Sequence, residues 1–336
     1  MIRRLLGYLC VTLLSAMCTS AYIMYVGLIH PMPLSGKEML YDYEKGTSLK
    51  VLSQDLAHKG LIPSAFAFRW YARINGSATH LHAGEYLITA GMTPEDLIVK
   101  IRKGDIYMHT LRMPEGGTLH EVVELLVAEP AVKHTLSFVG DWFVSISPEY
   151  HLGEGLLLPE TYFFPKGESD VAILKRAFRD EMAFAQKAFD ERDTSVPYKN
   201  VYEALIAASI LEKEASIPEE RAKISRVIIN RLAKGMPLQM DPTVIYGMGP
   251  TFQGNITKND LITPGPYNTY LNMGLPPTPI CLPSKNAVLA ALHPAEGDYL
   301  YFVSRGDGSH YFSTNLKEHN NAVIKYVIRA KKDAKQ

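Results

Sequence analysis

The stretch 201-VYEALIAASILEKEAS-216 decides how the second half of the chain is read. Nine of the ten residues from Tyr202 to Leu211 are uncharged, and then Glu212, Lys213 and Glu214 follow. The run reads as a long apolar helix bound for a protein interior. Successive helical residues turn by about 100°. With Leu205 as the reference direction, Val201, Ala204, Ala208, Leu211 and Ala215 fall in an arc of about 120° to one side. Glu212 falls about 20° from Leu205, at the edge of that arc, whereas Glu203 and Glu214 lie about opposite. Glu214 is therefore expected on a polar face and Glu212 at the margin of the core. A carboxylate there is either a structural partner, bonded to a backbone N–H, Arg221 or Arg231, or a chemical group. A carboxyl in apolar surroundings stays protonated near neutral pH and can donate a proton, which is what the acid of a glycosidase must do.

Working outward, 217-IPEERAKISRVIINRLAKG-235 is an amphipathic helix with Ile224, Val227, Ile228 and Leu232 on one face and Gly235 as its stop. Residues 236–284 show little periodicity and many turn residues, and a region of that kind inside a compact domain is usually functional. Upstream, a helix is expected from Val171 to Glu191, preceded by the Pro/Gly/aromatic segment 154-EGLLLPETYFFPKG-167.

Residues 38–105 read as a small α+β module. A strand precedes the turn at Gly46, and a helix capped by Thr47 or Ser48 carries Leu49, Leu52 and Leu56 and stops at Gly60. A second helix over 65-AFAFRWYARIN-75, a strand over 81-LHAGEYLIT-89 and a third helix over 93-TPEDLIVKIRKG-104, with Thr93 as its cap, follow. The segment 106–150 begins as a second βα unit whose Gly-Thr-Leu turn echoes the first, and serves as a connector. Modules of the βααβ type with that turn resemble LysM, a peptidoglycan-binding module.

From Leu5 to Ile29 the chain has no charged residue. As a helix this run is about 37 Å long, ample for a bilayer core. Arg3 and Arg4 precede it, which predicts a cytoplasmic N-terminus, and His30, Pro31 and Pro33 end it. The run exceeds a signal-peptide core, so an uncleaved anchor over 1–33 is expected. Met17 before Cys18 is too bulky for a lipoprotein signal. With no second apolar span, everything after residue 33 is expected beyond the membrane. Cys10, Cys18 and Cys281 give no disulfide framework. Lys plus Arg equals Asp plus Glu at 35 each, which argues against a large nucleic-acid surface.

Five ordered stretches, 156-LLLPETYFFPKG-167, 208-ASILEKEA-215, 220-ERAKISRVIINRLAKGMPLQMDPTVIYGMG-249, 266-PYNTYLNMGLPPTPI-280 and 300-LYFVSRGDGSHYFSTNLKEHN-320, closely resemble the YceG-like family of endolytic murein transglycosylases. The resemblance implies an α+β protein: a transmembrane helix, a LysM-like module and, over 151–330, a larger mixed α/β catalytic domain with a glutamate-bearing helix. It implies cleavage of the MurNAc–GlcNAc bond within peptidoglycan glycan strands, leaving 1,6-anhydro-MurNAc ends. One glutamate protonates the glycosidic oxygen and then acts as base toward the sugar's own C6 hydroxyl. That intramolecular nucleophile removes the need for a second carboxylate. The family's glutamate maps to Glu212, with Glu214 as the alternative. Gln239, Asp241 and Thr243 are the expected contacts to sugar hydroxyls or N-acetyl groups. Tyr267, Asn268 and Tyr270 are expected to supply stacking rings and an amide, and Glu160 and Tyr162 to brace the groove. His293, His310 and His319 match no metal-ligand spacing; no metal or cofactor is implied. The implied setting is the inner membrane with a periplasmic domain, beside peptidoglycan synthases whose growing strands it would terminate. Two other readings remain open: a non-catalytic peptidoglycan-binding scaffold, and a muramidase that uses water.

Overall fold

The computed structural model describes residues 2–215 and 217–329. The chain is mixed helix and strand, with helix predominating, and packs as two units. One holds the residues up to His109 together with Phe163–Gly167; the other holds Thr110–Tyr162 and the chain from Glu168 onward. The segment read as a connector thus belongs, from Thr110 on, to the second unit.

The first unit opens with α1 (Ile2–Ile29). Among the described residues its stretch Gly7–Ile29 is the one helix long and apolar enough to cross a membrane. Strands β1 (Glu38–Tyr43) and β2 (Gly84–Thr89) pair antiparallel with Tyr41 opposite Tyr86. Between them run α2 (Leu49–His58) and α3 (Ala65–Ile74), and α4 (Pro94–Lys103) follows. The expected caps Ser48 and Thr93 are present, and Ser64 caps α3 as well; each accepts a first-turn N–H, satisfying donors that a helix start leaves free. Tyr41 and Tyr43 from β1, Leu52 and Leu56 from α2, Phe68 from α3, Tyr86 and Ile88 from β2, and Leu97, Ile98 and Ile101 from α4 form one core. The alternation on the strands and the three-to-four spacing on the helices deliver those side chains to the same side.

Strand β3 (Met108–Arg112) pairs with β4 (Thr161–Pro165). The second unit contains α5 (Leu119–Ala128), α6 (Asp170–Asp190), α7 (Val201–Glu214), α8 (Arg221–Ala233), α9 (Asp241–Met248), the short α10 (Lys258–Ile262) and α11 (Lys285–Leu292). A hairpin, β5 (Tyr301–Ser304) with β6 (His310–Ser313), and α12 (Leu316–Val323), continued by a π-helical segment Ile324–Arg329, close the described fold. Helix α7 is the axis of this unit: α6, α8, α9 and α11 all pack on it.

Candidate active site

Asn200 caps α7 by accepting the Glu203 N–H at 2.9 Å. Every residue from Ala204 to Leu211 is buried, so the helix is enclosed on all sides. Small residues make this possible. Ser209 also ties the extended segment 280–281 to the helix, its Oγ accepting the Ile280 N–H at 3.0 Å. In the last turn only Lys213 is exposed while Glu214 is half-buried, and this corrects the expectation for Glu214. Its direction, opposite Leu205, leads into a cavity of about 370 Å³ lined also by α9 and the β5–β6 hairpin.

Glu212 does reach the core margin, and there it is fully occupied. Arg221 Nη2 donates to its Oε1 at 2.8 Å, and the Ser284 N–H and Oγ–H donate to its Oε2 at 3.0 and 2.5 Å. Arg221 Nη1 also donates to Ser284 Oγ and Asn286 Oδ1, each at 3.0 Å. Ser284 caps α11, so the ion pair joins the end of α7 to the starts of α8 and α11. This is the structural alternative that the sequence left open for Glu212, with Arg221 as the partner.

Glu214 shares its cavity with Gln239, Asp241, Tyr270, Arg231, His310 and His319. Burial pushes the Glu214 carboxyl up to about 7, and the charge of Asp241 adds to the rise. Tyr270 donates its hydroxyl to Asp241 Oδ1 at 2.5 Å. The buried Arg231 holds the turn before α9: its Nη1 donates to the Pro237 and Leu238 carbonyls at 3.1 and 2.8 Å and to Gln239 Oε1 at 3.1 Å. Gln239 has φ of +53°, the one positive value at a non-glycine among the described residues. Such a conformation costs on the order of 1–3 kcal/mol and persists where its surroundings over-determine it. Here Arg231 does so, together with the Gln239 N–H donating to the Thr269 carbonyl at 3.0 Å. His310 is held by Glu220 at 2.7 Å, and His319 stacks on Tyr301. A protonated carboxyl near neutrality beside a second carboxylate, in an open cavity rich in hydrogen-bonding groups, is equipped for acid–base chemistry on a polar ligand.

The remaining expected site residues separate by burial and bonding. Thr243 lies fully buried under the start of α9, its hydroxyl on the Met240 carbonyl and the Thr269 hydroxyl. Asn268, only 4% exposed, spends its amide on its own loop. Its Nδ2 donates to the Leu261 and Thr263 carbonyls at 3.1 and 2.8 Å, and its Oδ1 accepts the Tyr270 N–H at 2.9 Å. That bonding engages the Asn268 amide in organising the loop that presents Tyr270. Tyr162 is a core residue whose hydroxyl donates to the Leu158 carbonyl, and the half-exposed Glu160 pairs with Lys285 at 2.7 Å. Of the histidines outside the cavity, His293 ends α11.

Tyr267 faces a second cavity, of about 340 Å³, lined also by Phe138, Trp142, Tyr246, Thr278 and Glu154. Glu154 is buried and accepts the Leu119 N–H at 3.0 Å and the Tyr246 hydroxyl at 3.1 Å. Burial pushes its carboxyl up to about 7, against those bonds. The two cavities flank the same pieces of chain: Asp241 and Tyr270 face the first, Tyr246 and Tyr267 the second. Sequence reading missed Glu154 and the cavity role of Arg231. Both lie in quoted motifs, and no periodicity sets either apart from its neighbours.

Residues 42–325 match the sequence model of the YceG-like family. The chain belongs to that family. A protein of Bacillus subtilis (strain 168) named endolytic murein transglycosylase is 30% identical over 328 residues, covering 91% of this chain and 90% of that protein. A protein of the same name from Streptococcus pneumoniae (strain D39) is 28% identical, covering 87% of this chain and 59% of the longer relative. The crystal structure of a YceG-like protein from Listeria monocytogenes matches with a TM-score of 0.56 and 31% identity, covering 85% of this chain and 98% of that one.

Proposed function

We propose that this chain is an endolytic murein transglycosylase, a lytic enzyme of peptidoglycan, as its relatives' names state. The reaction breaks the MurNAc–GlcNAc bond within a glycan strand. Glu214, not Glu212, is the acid. The observation that carries this assignment is the contrast between the two carboxyls. Glu214 lines the open cavity and holds its proton to about pH 7, whereas Glu212 is locked between Arg221 and Ser284. Glu214 donates its proton to the glycosidic oxygen as the bond to the MurNAc anomeric carbon breaks. The resulting carboxylate takes the proton of the C6 hydroxyl on the same sugar, whose oxygen closes on the anomeric carbon. The product is the 1,6-anhydro end, and the glutamate is protonated again. Gln239, Asp241 and Tyr270 orient the sugars around the bond. The strand continues past α9 toward the aromatic cavity, where Tyr267 and Trp142 offer faces for the next residues.

The β1–α2–α3–β2 order, with its strands paired antiparallel, supports a LysM-like glycan-binding role for residues 38–105. The anchor α1, with Arg3 and Arg4 before it, favours a single-pass protein with a cytoplasmic N-terminus and an inner-membrane, periplasmic setting. Growing strands beside their synthases are the substrate such an anchor would keep in reach. A water-using muramidase would draw its second carboxylate from Asp241, which shares the cavity, and not from Glu160.

The test is a digest of purified glycan strands by the full chain in detergent, read by mass spectrometry. Fragments one water lighter than hydrolysis products, absent with Glu214→Gln, are the expected outcome. Reducing ends would replace this reading by the muramidase, and binding without cleavage would replace it by the scaffold.

A further inference from the structure

Helix α3 buries Ala67, Phe68 and Ala72 and leaves its other face open. On that face Phe66 is 61% exposed, Trp70 49% and Ile74 63%. With the exposed Pro63 just before the helix, the spacing is three, four and four, so the four side chains form one apolar stripe. A stripe of this size on an open surface marks a contact site. Its place in the fold says what the contact is. The last turns of α1 pack within this unit on α3 and α4, and Leu28 and Met32 are buried there. Pro63 sits so close to Gly27 that a Cβ on the glycine would stand 2.9 Å from the proline Cγ. The Met32 N–H donates to the Met92 carbonyl at 2.8 Å, so the chain enters the unit directly from α1 without a slack linker.

Depth follows from length. The uncharged run from Leu5 to Ile29 is about 37 Å as a helix, and the hydrocarbon core of a bilayer is about 30 Å. The excess of about 7 Å is roughly the last turn and a half of α1, the part that touches Pro63. That turn lies in the headgroup layer, and the beginning of α3 is beside it. Arg69 is turned to α2, where it donates to Ser53 Oγ at 3.1 Å, whereas Arg73, three residues after Trp70, is exposed, and a basic side chain beside an interfacial tryptophan suits phosphate headgroups.

We propose that Pro63, Phe66, Trp70 and Ile74 form a membrane-contact surface that inserts into the headgroup layer of the bilayer spanned by α1. The inference rests on the anchor reading of α1. The surface fixes the first unit against the lipid at two places, the helix that spans and the helix that lies on the interface.

The chain has two tryptophans, Trp70 and Trp142, which makes the test direct. The full chain carrying Trp142→Phe is placed in lipid nanodiscs whose acyl chains are brominated near the headgroup end. Loss of Trp70 emission, with a blue shift relative to detergent-free denatured protein, is the expected result. A reporter of the anchor is made in parallel, Tyr22→Trp combined with Trp70→Phe and Trp142→Phe. Quenching of that reporter without quenching of Trp70 would overturn the contact surface and leave the anchor standing. Quenching of neither would remove the anchor reading and the proposal together. Trp70 shielded from both the brominated lipid and aqueous iodide would mean that protein covers the stripe, which also overturns the proposal.

Discussion

Glu212 and Arg221 meet at 2.8 Å where their side chains are 8% and 9% exposed, and the bond joins the last turn of one core helix to the first turn of the next. Two residues further on, Glu214 opens into the cavity. The tripeptide Glu212-Lys213-Glu214 therefore carries one carboxyl held in an ion pair and one that lines a cavity.

Replacing each glutamate by glutamine separates those roles. Glu212→Gln leaves the Arg221 charge buried without its partner and should cost about 3–5 kcal/mol of stability. Glu214→Gln exchanges a carboxyl that is neutral below about pH 7 for a neutral amide. It should change stability by less than about 1 kcal/mol while lowering turnover by about 10²–10⁴-fold. Thermal melts alongside glycan digestion check both, and a stable but active Glu214→Gln would reverse the assignment.

The pH profile should carry the same signature. An acid catalyst works in its protonated form, so kcat/KM should hold below about pH 7 and fall about tenfold per unit above it. Asp241 contributes the smaller part of the rise at Glu214, after burial. Asp241→Asn should therefore move the alkaline limb to lower pH without erasing it. An unmoved limb would mean that another group titrates.

Asn268→Ala removes the amide that bonds three backbone groups of its loop at 2.8–3.1 Å. Those groups belong to half-buried and exposed residues, so losing the bonds should cost about 1–3 kcal/mol. Residual activity should recover at low temperature, where the loop is held. Loss of activity with an unchanged melting curve would return Asn268 to the ligand.

Glu181 is wholly buried on α6, with no hydrogen-bond partner for either carboxyl oxygen among the described residues. Burial pushes its carboxyl up to about 8, and Lys285 lowers it only in part. The folded-state value lies above the unfolded one, so its contribution to stability is full below about pH 4.5 and is lost as pH rises through about 8. Glu181→Gln should raise the melting temperature at pH 8.5 and change it little at pH 4.5. Equal effects at the two pH values would mean that the carboxyl ionises freely in the folded protein.

Much of the fold was legible because it is local. Ser48, Thr93 and Gly104 bound their helices by rules that act within four residues, and the long apolar helix α1 shows in composition alone. The direction of Glu212 followed from helix geometry as well. What covers the opposite side of α7 did not, because α9 and the β5–β6 hairpin come from residues up to about a hundred positions later. Without them a helical wheel reads Glu214 as solvent-facing. Gln239, Asp241 and Tyr270, singled out because they sit in turn-rich motifs, line the same cavity as Glu214. Asn268 shares its motif with Tyr270 and Tyr162 lies in the stretch 156–167, and their bonding, not their residue type, sets both apart.

The enclosure of α7 also bears on how the chain can change over generations. Ala207, Ala208 and Ser209 are fully buried with helices on every side, so a larger side chain at any of them would have to push a neighbouring helix away. The glutamate at the helix end inherits its position from this stretch. Sequence drift is accordingly cheap in the exposed segments and costly here. A library of variants selected for activity should return α7 nearly unaltered, even at positions that no sugar ever touches.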